Sequence, residues 1–127
     1  MTFSRVFRPA PLLTAEQKET LLENGRKQRE AQQKGQVEDW YPVVKLFTPD
    51  AGATWLLTEL DPDDPNIAFG LCDLGLGFPE LGYVSLAELE EVRGRLGLPV
   101  ERDLHFQAKK PISEYAKEAS EAMRIVT

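Results

Sequence analysis

Residues 54–85 read TWLLTELDPDDPNIAFGLCDLGLGFPELGYVS, and this stretch decides the fold. Two apolar runs, Thr54–Leu60 and Ile67–Asp73, flank Asp-Pro-Asp-Asp-Pro-Asn, a segment that neither a strand nor a helix interior accepts. The pattern predicts an antiparallel hairpin. Pairing it symmetrically about residues 61–66 sets Leu60 against Ile67, Thr58 against Phe69 and Leu56 against Leu71. On the other face Trp55, Leu57 and Glu59 then lie over Cys72, Gly70 and Ala68, so large side chains meet small ones. In this register Glu59 and Asp73 point to opposite faces, because side chains alternate along a strand. A second break follows at residues 75–82, where three glycines and a proline demand special backbone angles. That loop returns through Tyr83-Val84-Ser85 to a helix.

Outward from the hairpin, residues 43–48 (VVKLFT) form a strand by their β-branched and aromatic content, and Pro49-Asp50-Ala51-Gly52 turns it antiparallel to Thr54–Leu60. Lys45 on that strand is placed to pair with Glu59. Upstream, the prolines at 9 and 11 indicate an extended arm over residues 1–13, before a domain spanning 14–127. Thr14 and Gln17 have the spacing of a capping box that opens a first helix, in which Leu21 and Leu22 face a core. Residues 26–36, RKQREAQQKGQ, are polar on every side and are expected to project as a helix end or fray into a linker. Downstream, Ser85 with Glu88 predicts a helix over residues 85–97, with Leu86, Leu89, Val92 and Leu96 buried and Gly97 as its stop. Residues 100–106 are expected to form a short edge strand. Ser113 is expected to cap a last helix reaching Met123.

The chain has 127 residues, enough for one domain with its own core, and 42% hydrophobic with 28% charged residues is ordinary for a globular protein. No run is long and apolar enough to span a bilayer, and one cysteine, Cys72, rules out an internal disulfide, so a cytoplasmic location is expected. The net charge of −6 is unevenly spread, with +3 over residues 1–36, −10 over 37–103 and +1 over 104–127. A central body at −10 repels phosphate backbones, which disfavours direct nucleic-acid binding by that body.

Three segments, PVVKLFTPDAGATWLLTELDPDDP, FGLCDLGLGFPELGYVSL and LPVERDLHF, resemble the bacterial domain-of-unknown-function family numbered 2958. The leader LLTAEQKETLLENG is similar too, which extends the likeness over residues 12–125. The resemblance carries no established activity and identifies no catalytic residue. Members often sit on plasmids and other mobile elements near replication, transfer and antirestriction genes, which implies a role in mobile-element biology or in evading host defence.

Glu59, Asp61, Asp73 and Glu80 offer the oxygen donors of a Mg²⁺ or Ca²⁺ site and would support a small metal-dependent hydrolase or transferase. Against this, the aspartates of a DPDDPN turn bond their own backbone, and the register separates Glu59 from Asp73. Gly75-x-Gly77 lacks the third glycine and following helix of a dinucleotide fingerprint, so no cofactor is expected. Cys72 reads as an inert buried thiol, and His105 as a structural residue of the edge strand. Folding leaves Trp40, Tyr41, Phe78, Leu81 and the acidic Asp63, Asp64 and Glu80 unexplained. Aromatic and apolar groups ringed by charge make a protein-binding face.

The sequence therefore predicts an α+β domain, with an antiparallel sheet of about four or five strands and two or three helices. Its expected role is that of a non-enzymatic, acidic protein-interaction module of a mobile element, modulating a nucleic-acid-processing or defence enzyme.

Overall fold

The computed structural model describes residues 11–127, in which the elements follow in the order α1 (Ala15–Gln33), β1 (Val44–Phe47), β2 (Thr54–Leu60), β3 (Ile67–Asp73), β4 (Glu80–Ser85), α2 (Leu86–Glu91), β5 (Glu101–Arg102) and α3 (Ile112–Ala122). The strands make one antiparallel sheet in the order β4-β3-β2-β1-β5, an α+β architecture with three helices. Most of the expected arm, residues 1–10, lies outside the described residues. Leu12, at its end, is a core residue, and the Pro11 carbonyl accepts from Arg102 at 2.8 Å.

The hairpin forms as its turn chemistry requires. Asp61 accepts from the Asp63 N–H at 2.8 Å and Asp64 from the Asn66 N–H at 3.2 Å, so the aspartates satisfy the turn's own backbone. Trp55, Leu56 and Leu57 oppose Cys72, Leu71 and Gly70, as symmetric pairing predicts. Beyond Leu57 the register slips by one, because Thr58 is an extra residue on β2, and Glu59 opposes Phe69 while Leu60 opposes Ala68. The pairs Thr58 with Phe69, Leu60 with Ile67 and Glu59 with Ala68 are therefore corrected. The bulge turns Leu60 inward onto the same face as Trp55 and Leu57, where it is fully buried, and leaves Glu59 on the other face.

Each face of the sheet has its own core. On one, Trp55, Leu57, Leu60 and Ala68 pack with Leu21 of α1 and Leu89 of α2; on the other, Leu56 and Leu71 pack with Ile112, Tyr115 and Ala119 of α3. α1 opens with both halves of its capping box at 3.0 Å, and it closes in a Schellman motif, with the Gln36 N–H donating to Ala31 and Gly35 at φ 72°.

The polar second half of α1 neither projects nor frays. Gly25, Gln28 and Ala31 are buried, since the helix crosses the end of β2 and docks by hydrogen bonds where apolar area is lacking. Asn24 donates to the Thr58 carbonyl at 2.9 Å, and Gln28 bonds both the backbone of Glu38 and the side chain of Glu59.

Three other expectations are corrected. α2 ends at Glu91, well short of Gly97, and Leu96 is 80% exposed. The competing acceptor is Asp50, whose carboxylate takes the N–H groups of Leu96 at 2.6 Å and Leu98 at 3.3 Å and holds residues 94–98 as a turn. α3 has Pro111 at its N-cap position, with Ser113 inside the first turn bonded to the Asp39 carboxylate. Lys45 pairs with Asp103 at 3.6 Å, not with Glu59, because β5 and the segment after it flank β1 on that side.

A Cβ at Gly25 would overlap the carbonyl oxygen of Leu60. Gly25→Ala is accordingly expected to destabilise the fold by about 1–3 kcal/mol, although alanine is the better helix former. Chemical denaturation checks this, and a midpoint at or above that of the parent chain would contradict the close approach. Ser85 accepts from the Glu88 N–H at 3.2 Å and from Asn66 at 2.9 Å. Its replacement by alanine is expected to cost about 1 kcal/mol in the same assay.

Candidate functional site

A cleft of about 350 Å³ opens on the α3 face of the sheet, between the C-terminal half of α1, residues 37–40 and the start of α3. The slip at Thr58 creates its floor. Glu59 faces outward beside Phe69, and Phe69 lies against Tyr83 of β4 with ring centroids 5.0 Å apart in an edge-to-face arrangement. Trp40 and Leu81 close the sides. The acidic residues Glu38, Asp39 and Glu59 belong to the lining, and no lysine or arginine does.

The polar groups of the cleft are unequally satisfied. Gln28, 7% exposed, donates to the Glu38 carbonyl at 3.0 Å and accepts from the Glu38 N–H at 2.9 Å, fixing the segment that carries Trp40. The same amide donates to Glu59 Oε1 at 3.2 Å. Burial raises the pKa of Glu59 above the ordinary carboxylate value, and the bond from Gln28 only partly opposes this. Asp39 is engaged by Ser113, and the Trp40 indole Nε1–H is buried with no acceptor. A wider hollow of about 1030 Å³ beside Pro11, Leu86 and Val100 borders the start of the described residues.

The structure disperses the four carboxylates proposed as metal ligands. Glu59 and Asp73 share a face, contrary to the symmetric register, because the bulge turns Glu59 over. They sit four positions apart along the hairpin, roughly 13 Å at strand spacing. Asp73 is 3% exposed and spends its oxygens on the N–H groups of Gly75 at 2.8 Å and Ile125 at 2.9 Å. Asp61 meets Arg29 at 3.1 Å, and Glu80 pairs with Cys72 on the opposite face. Among the described residues no three His, Cys, Asp or Glu side chains converge.

Of the proposed partner-binding residues, Trp40 and Leu81 meet in the cleft, while Phe78 (75% exposed) and Tyr41 (54% exposed) lie outside its lining. Glu80 and Leu81 belong to β4 rather than to a loop tip. Asp63 is bonded by Arg29 at 2.9 Å, and Asp64 stays on the exposed turn. Cys72 is half-buried, its thiol pKa raised by desolvation and then by Glu80, which keeps it protonated and unreactive. His105 follows β5 in an exposed turn, where its N–H donates to Asp103 at 2.8 Å.

Sequence reasoning missed Gln28, Phe69 and Tyr83 as members of one site. A signal exists for the first, since Gly25, Gln28 and Ala31 recur at helical spacing as small or amide residues in a stretch of the helix with no large apolar side chain.

A carboxylate whose folded pKa is raised binds its proton more tightly when folded. The stability it withholds at neutral pH is regained as pH falls through the folded value toward the unfolded value near 4.5. Glu59→Gln is therefore expected to raise the denaturation midpoint at pH 7, with the gain shrinking as pH falls through that window. An equal gain at pH 7 and at pH 4 would show that ionisation of Glu59 is not its source.

No curated protein and no solved structure matches the chain. A family model does, over residues 12–126, nearly the whole chain, and its description is "Protein of unknown function (DUF2958)". The hairpin, the β4 return and the two-faced core described above all fall within the matched span, and the chain belongs to that family.

Proposed function

We propose that this chain is a non-enzymatic, acidic protein-interaction module that docks on a basic protein surface through β4 and the loop before it. The observation that carries this reading is the outer position of β4, whose free edge runs beside exposed Leu76, Phe78, Leu81 and Tyr83. A row of unpaired strand amides next to a set of exposed apolar side chains is the form in which a sheet accepts another chain. Pro79 and Glu80 guard only the beginning of that edge.

The charge of the body supports a basic partner. Residues 37–103 carry −10, and complementary charge speeds and orients docking without adding much affinity. Arg29 already neutralises part of the hairpin turn through Asp61 and Asp63, whereas Asp64, Glu80 and Glu38 are among the acidic groups left for a partner. A nucleic-acid-processing or defence enzyme, met in the cytoplasm by the product of a mobile element, has the basic groove this requires. The dispersal of Glu59, Asp61, Asp73 and Glu80 supports a binding role over a metal-dependent hydrolase. No helix among the described residues is long and apolar enough to cross a membrane.

Capture from host lysate is expected to recover nucleic-acid-handling proteins, less of them as salt rises toward about 0.5 M, where screening shortens to about 4 Å. With the recovered partner, Asp64→Lys together with Glu80→Lys is expected to slow association. Phe78→Ser together with Leu81→Ser is expected mainly to speed dissociation. Kinetics indifferent to both pairs of substitutions would sink this docking surface, and tight binding of DNA to the full chain would sink the charge argument.

A further inference from the structure

The cleft beside β4 has features that a purely structural role leaves unused. Its floor and sides present three aromatic side chains, Trp40, Phe69 and Tyr83, and its only ionisable neighbours in the lining besides Tyr83 are carboxylates. At about 350 Å³ it lies at the low end of ligand pockets, large enough for one long side chain and small for a dinucleotide. Resting on the docking role above, we propose that this cleft receives an arginine side chain from the basic partner, with its guanidinium on the aromatic wall and its N–H groups donating to Glu59.

The chemistry selects arginine for three reasons. A cation over aromatic faces is attracted by the ring quadrupoles, more strongly where water is thinned. Glu59 has one oxygen held by Gln28, and among the described residues no other donor reaches its side chain. The second oxygen thus remains available for a charge-assisted bond. A guanidinium is weakly hydrated and keeps its charge when desolvated, whereas a lysine ammonium is strongly hydrated and loses its proton more readily in such a site.

The test uses the full chain, with N-acetyl-arginine amide as probe and its lysine and citrulline counterparts as controls. Binding is followed through the indole N–H resonance of Trp40, assigned by its loss in Trp40→Phe. The arginine probe is expected to shift that resonance saturably, and citrulline, which is neutral, is expected not to. Glu59→Gln, which can keep the bond to Gln28, is expected to weaken binding about tenfold, the effect of losing one charge-assisted bond. Tyr83→Leu, at a 71% exposed edge position where the fold is at little risk, is expected to weaken it as well. Equal binding of citrulline, equal or tighter binding of lysine, or indifference to Glu59→Gln overturns the proposal. If the arginine probe fails while partner binding persists and still depends on Phe78, which lies outside the cleft lining, the arginine cleft is wrong and the docking surface stands. If the probe binds but Phe78, outside the cleft lining, proves irrelevant to the partner, the cleft stands and the docking edge falls.

Discussion

The rest of the structure depends on how closely α1 passes over the end of β2. The helix backbone at Gly25 lies so near the Leu60 carbonyl that a side chain has no room there. This approach places Gln28 over the sheet, where it holds residue 38 and Glu59 together, and through residue 38 it sets where the chain turns back toward β1. One glycine thus links the first helix, the connector and the cleft. Were the helix an ångström further out, the Gln28 amide would lose its partners and a buried polar group would be left unsatisfied.

The second determinant is the single extra residue at Thr58. Its hydroxyl donates to the Phe69 carbonyl at 3.2 Å, within the ladder it interrupts. The bulge reverses the facing of everything after it, which buries Leu60 with the α1 core and turns Glu59 toward the aromatic pair. A regular strand would have put an acidic side chain into the apolar core.

These two features also mark where the sequence stopped being legible. The hairpin, its turn and the antiparallel pairing of residues 43–48 with Thr54–Leu60 followed from alternation and from proline and aspartate chemistry, which are local and period-bound. The bulge left only a faint trace: Leu57-Thr58-Glu59-Leu60 sets two polar residues between two leucines, a lapse in alternation, and only packing on both faces decides which residue is extra. The docking of the second half of α1 left only a weak signal for a related reason. Periodicity weighs apolar side chains, and here glycine, alanine and a glutamine amide form the contact. The length of α2 was misjudged because Asp50, more than 40 positions away in the chain, captures the N–H groups a longer helix would have used. The elements of the cleft were each visible, but their meeting was not, since Trp40, Glu59 and Tyr83 converge only after both corrections.

The hydrogen-bonded anchoring of the second half of α1 has a thermodynamic consequence. Apolar burial gives folding its heat-capacity change and much of its denaturant sensitivity, and this half of the helix buries little of it. Its release from the sheet would therefore expose mainly polar surface, and it would be scarcely visible to calorimetry or to a urea titration. The cleft wall could then open as a partial unfolding event separate from global denaturation, seen first by amide exchange at residues 28–38. A site with a wall of this kind can admit a bulky side chain without loosening either apolar core.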